Sequence, residues 1–69
     1  MENTLMNRYK NLLKKCLDKG ISLNTIQQII FLSQLKSKKR AIEELEKIVD
    51  IASENQIKVK IAQLIEETQ

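Results

Sequence analysis

Apolar residues recur along this chain with the rhythm of amphipathic helices. Leu5, Tyr9, Leu12, Leu13, Cys16 and Leu17 share one face of a 3.6-residue period, which predicts a first helix over about 4–19. Asn3 or Thr4 can cap its start, and Lys14, Lys15 and Lys19 complement the dipole near its end. Gly20 suits the left-handed position after the last turn. Ile26, Ile29, Ile30 and Leu32, extended by Phe31 and Leu35, then form an apolar arc wide enough to be covered on more than one side. They place a second helix over about 23–36, starting near Ser22 or Asn24, with Asn24 and Gln27 at the spacing of a capping box. Ile42, Leu45, Ile48, Val49 and Ala52 make the stripe of a third helix over about 38–53, with Ser37 as its cap. The stripe changes phase after Ala52 and resumes at Ile57, Ile61, Leu64 and Ile65, a fourth helix over about 56–67. Between them Ser53 and Gln56 have capping-box spacing. Ile57 to Ile61 alternates as a strand would, but no second strand in the chain can pair with it. The pattern predicts an all-α fold, a bundle of three to four helices in a single domain over 1–69, with no repeat of sequence inside it.

Composition supports this reading. Proline is absent and glycine occurs once. A chain of 69 residues buries only about 60% of the surface its unfolded form exposes, so such domains lean on disulfides, metals or self-association. Cys16 is the only cysteine and there is no histidine, which removes an internal disulfide and leaves no metal or cofactor site to expect. Self-association remains, and a homodimer is the expectation. The longest uninterrupted apolar run, Ile29 to Leu32, is too short for a membrane span. With the polar start and the single free thiol, this predicts a cytoplasmic protein.

Charge divides the chain. Residues 1–40 carry a net +7 and residues 41–69 a net −4. Such asymmetry fits a polyanion-binding half joined to an association half, or charges that cap helices and solvate their faces. Between Gly20 and Leu35 no residue is charged, in a chain where 30% of residues are. That stretch is the buried heart of the fold, a surface for a partner, or both.

Within it, Gly20-Ile21-Ser22-Leu23-Asn24-Thr25-Ile26-Gln27-Gln28-Ile29 resembles the turn and second helix of helix-turn-helix DNA-binding proteins of the phage-repressor type. Cys16 takes the small position of that pattern, while Lys15 and Lys19 stand where the family has apolar residues. The resemblance implies that Ile26 and Ile29 hold the reading helix on the domain and that Asn24, Gln27 and Gln28 face the major groove. Asn and Gln are the side chains that pair bidentately with adenine there. Lys15, Lys19 and Lys36 would meet phosphates. In a second register the turn precedes the motif's first helix, and reading begins near Ser37 with Lys38, Lys39 and Arg40.

Two functions follow. One is a small regulator of transcription, of phage or mobile-element type, that binds double-stranded DNA through Asn24, Gln27, Gln28, Lys15, Lys19, Lys36, Lys38, Lys39 and Arg40. The other is a helical interaction module, an antirepressor or inhibitor, that anchors a partner protein through Phe31, Leu32 and Leu35. Neither uses a small-molecule substrate. No catalytic constellation stands out, and Cys16 and Tyr9 lie on the core stripe of the first helix.

Overall fold

The computed structural model describes residues 4–67. Four helices follow one another: α1 Thr4–Asp18, α2 Leu23–Leu32, α3 Lys38–Ile48 and α4 Glu54–Glu67. No strand occurs among the described residues, and the alternating Ile57 to Ile61 segment is helical within α4. The expected cap Asn3 lies outside the described residues.

α1 packs against α3 and α2, and α4 packs against α2 and α3. Ion pairs give the directions. Arg8 reaches Glu46 and Lys15 reaches Asp50, so α1 and α3 run the same way. Ser22 and Glu54 tie the starts of α2 and α4 together. Lys60 meets Glu44, and Arg40 meets Glu67, so α3 and α4 run antiparallel. The molecule is thus two helical hairpins side by side. The sequence does not repeat, but its buried positions do. Leu12 and Cys16 correspond to Leu45 and Val49 at one fixed offset, and Thr25, Ile29 and Leu32 to Ile57, Ile61 and Leu64 at another, one residue shorter. Each hairpin offers one apolar face, and the two faces close a single core.

The ends of α2 and α3 depart from the sequence reading, and of the two starts it allowed for α2 the structure takes Ser22. α2 ends at Leu32 rather than residue 36. The Ser33 amide splits between the carbonyls of Ile29 and Ile30, and the amides of Gln34 and Leu35 bond three residues back. This tightening to i→i+3 bonds, with the Ser33 hydroxyl on Ile30 O at 2.6 Å, unwinds the expected last turn. α3 ends at Ile48 rather than residue 53, where the Ile51 amide bonds Ile48 O, only three residues back, at 3.0 Å. α2 is capped by Ser22, whose backbone is extended and whose hydroxyl accepts from the Thr25 amide, and not by the pair Asn24 and Gln27. The box of Ser53 and Gln56 forms as expected: the Ser53 amide donates to Gln56 Oε1 at 2.8 Å and the Gln56 amide to Ser53 Oγ at 3.2 Å.

Part of the charge asymmetry is met within the fold: Arg8 and Lys15 of α1 pair with Glu46 and Asp50, and Arg40 pairs with Glu67. Arg8 holds Glu46 through two bonds, at 2.6 and 3.1 Å, which keeps the Glu46 carboxyl below its ordinary range and lifts the guanidinium further.

Candidate functional site at the helix corners

The two ends of α2 are the places where the sequence put its chemistry, and they are built differently. The first corner, residues 19–22, joins α1 to α2. Gly20 adopts φ 79°, the left-handed region that a side chain disfavours. The Ile21 amide bonds Cys16 O and the Gly20 amide bonds Leu17 O, both at 3.0 Å, which is the Schellman closure of a helix. Ile21 is buried beneath the turn beside Cys16 in the core cluster. Burial also pushes the Cys16 thiol up, so this cysteine is a small core residue.

Glu54, the first residue of α4, fills the N-terminus of α2. Its carboxylate accepts from Ser22 Oγ at 2.6 Å, from Thr25 Oγ1 at 2.8 Å and from the Ser22 amide at 3.3 Å. Thr25 is completely buried, and this bond satisfies its hydroxyl. The Ser22 hydroxyl, then that of Thr25, holds the Glu54 carboxyl below its ordinary range. One negative charge thereby serves two helix N-termini. The cations of this corner are engaged as well. Lys19 Nζ donates to Val49 O at 2.5 Å and Ala52 O at 2.7 Å, closing carbonyls after α3, and Lys15 pairs with Asp50 at 3.4 Å.

The second corner, residues 33–37, joins α2 to α3 and is open. Ser37 stands at the N-cap position of α3 but makes no side-chain cap bond, and no acidic residue lies in the first turn. Arg40 is held by Glu67. Lys36, Lys38 and Lys39 are exposed and have no acidic partner among the described residues.

Between the corners α2 turns one continuous stripe outward. Leu23, Asn24, Gln27, Ile30 and Phe31 are exposed at helical spacing, with Leu23 70% and Phe31 49% accessible. Gln28 is half-buried. Leu32 is only 1% exposed and belongs to the core, which corrects its place among the partner anchors: it stands one turn beyond Ile29, about 100° around the helix from Phe31. Leu35 is half-buried against the same core. Leu23 and Ile30 went unnoticed as contact residues, although the spacing of Leu23 to Ile30 and Phe31 marks one helix face. A second apolar feature lies on the other hairpin, where Ile48, Ile51 and Val59 border a groove of about 290 Å³ between α3 and α4.

Of the nine expected DNA contacts, Asn24 and Gln27 face outward beside Leu23, Gln28 is half-buried, Lys15, Lys19 and Arg40 make bonds within the fold, and Lys36, Lys38 and Lys39 lie at the far end of α2. Among the described residues no cluster of side chains could hold a metal ion, and no helix is long and apolar enough to cross a membrane. Compared with protein-family models, curated proteins and solved structures, the chain matches none of them.

Proposed function

We propose that this chain is a non-catalytic helical interaction module whose contact surface is the outward face of α2. The observation that carries this reading is the stripe itself. Leu23, Ile30 and Phe31 stand exposed on one face of a helix with no charge, whereas Leu17, Ile51 and Val59, exposed apolar residues elsewhere, have charged residues beside them in the chain. Large apolar and aromatic side chains grouped this way are the anchors of protein interfaces, and the uncharged amides of Asn24 and Gln27 cost little to desolvate beside them. A helix-in-groove or helix-on-helix contact is the form such a stripe takes. The lone buried thiol suits a module that works in the cytoplasm. The test is retention of partner protein from host lysate by the immobilised chain. Phe31→Asp is expected to abolish retention, while Val59→Asp, exposed on the other hairpin, is expected to leave it intact. Equal retention by both variants overturns the reading.

A second reading, DNA binding by a helix-turn-helix-like regulator, is favoured by one observation: Lys36, Lys38 and Lys39 surround the uncapped start of α3. This corresponds to the register in which reading begins near Ser37. Arg40 of that register is held by Glu67; in the other register the negative Glu54 sits where α2 would approach phosphate, and Lys15 and Lys19 are engaged elsewhere. Fluorescence anisotropy with duplex DNA tests it. Binding that weakens steeply with salt, and that is lost when the three lysines become Gln, supports it; affinity indifferent to these substitutions removes it.

A further inference from the structure

We propose that the occupant of the α2 face is a second copy of this chain, the two α2 helices packing antiparallel about a two-fold axis at Gln27; this rests on the reading of that face as the contact surface. A two-fold interface must be complementary to itself. The stripe satisfies that condition. Leu23 and Phe31 lie equally far before and after Gln27, as do Asn24 and Ile30. Antiparallel pairing about Gln27 sets Leu23 of each copy against Phe31 of the other, over about 12 Å of helix. It sets Gln27 against its own counterpart. A side-chain amide is both donor and acceptor, so two of them can bond reciprocally.

Charge selects the antiparallel arrangement. The end of α2 carries Lys36, Lys38 and Lys39, and its start carries Glu54, bonded to Ser22 and Thr25, with Lys58 next to it and Lys19 turned onto carbonyls. Parallel pairing would bring the two lysine clusters together. Antiparallel pairing separates them and opposes the two helix dipoles. The stripe between the ends is uncharged, so the copies meet there without repulsion. One helix face is a small interface, so the equilibrium belongs in the micromolar range or weaker.

Sedimentation velocity across a concentration series, together with mild oxidation of Gln27→Cys, tests the pairing. The native Cys16 is buried and serves as its own control. A reversible monomer–dimer equilibrium is expected, weakened about tenfold or more by Phe31→Asp and untouched by Val59→Asp. Gln27→Cys is expected to give a disulfide-linked dimer that the unaltered chain and Asn55→Cys do not. A single monomeric species up to about 1 mM, with no Gln27→Cys dimer, overturns the self-pairing. If Phe31→Asp still releases a different protein from the lysate experiment, the α2 reading survives that failure. A dimer indifferent to Phe31→Asp and not bridged by Gln27→Cys also overturns the self-pairing, and loss of the lysate result as well overturns the α2 reading.

Discussion

The two ends of α2 are both short polar connections between amphipathic helices, and they differ in how much of their bonding capacity the fold consumes. At the first corner every named group has a partner: Gly20 and Ile21 close α1, Ser22 caps α2, Glu54 binds Ser22 and Thr25, and Lys19 closes the carbonyls after α3. At the second, Ser37 makes no cap bond and Lys36, Lys38 and Lys39 keep their charges free of acidic partners among the described residues. The corner that resembles a DNA-reading motif is thus the one the fold uses most fully. A motif match in a short chain reports local geometry, the need to turn and restart a helix, before it reports a ligand.

Substitutions can break or sharpen this contrast. The largest effect is expected beneath the first corner. Ile21→Ala removes a buried plug and is expected to cost about 2–4 kcal/mol by denaturant unfolding, whereas Leu35→Ala at the half-buried second corner costs about 1–2 kcal/mol. Next comes the turn. A side chain at Gly20 meets no atom within 4 Å, so Gly20→Ala isolates the cost of the left-handed backbone, about 1–2 kcal/mol. Ser37→Ala, which removes no cap bond, is expected to change stability by less than about 0.5 kcal/mol. Equal costs at Gly20 and Ser37 would erase the difference between the corners.

The ionic contrast is smaller and depends on pH. Glu54 has its pKa lowered in the folded state, so the stabilisation it brings is whole above the unfolded carboxyl value of about 4.3 and disappears as pH falls through the lower folded value. Glu46 beside Arg8 and Glu44 beside Lys47 shift in the same direction and add to the same acid limb. Glu54→Gln is expected to lower Tm at neutral pH and to flatten the loss of Tm on acidification, read by circular dichroism between about pH 6 and pH 3. The smallest effect is expected from Lys36→Gln, Lys38→Gln and Lys39→Gln together: a Tm within about 2 °C of the parent, because none of these lysines holds the fold.

Much of the fold was legible in the sequence, because helix periodicity, the one glycine and the Ser53–Gln56 box are local signals. Four helices, the turn at Gly20 and most core residues follow from them. The limits of α2 and α3 were not legible. Whether a helix runs on to residue 36 depends on i→i+3 bonds after Phe31 that carry no sequence mark. Nor could Glu54 be found, since its value comes from meeting Ser22 and Thr25 across the molecule. For the proposed contact surface the sequence grouped residues from two faces of one helix. Leu32 and Phe31 are neighbours in the chain, but about 100° of helical rotation puts one in the core and the other outside. The charge asymmetry was legible, but which cations pair was not, as Arg8 and Lys15 find Glu46 and Asp50 only once α1 packs on α3.

The central claim is that the outward face of α2 is the surface this chain uses. Site-specific photo-crosslinking in the producing cell tests it most directly, with a photoreactive residue placed in turn at Leu23, Gln27 and Phe31, and at the matching exposed positions Asn55, Val59 and Gln63 of α4. Protein adducts from the three α2 positions, and none from the three α4 positions, are the result the account expects. Adducts from α4 in equal or greater yield, with α2 silent, would contradict it.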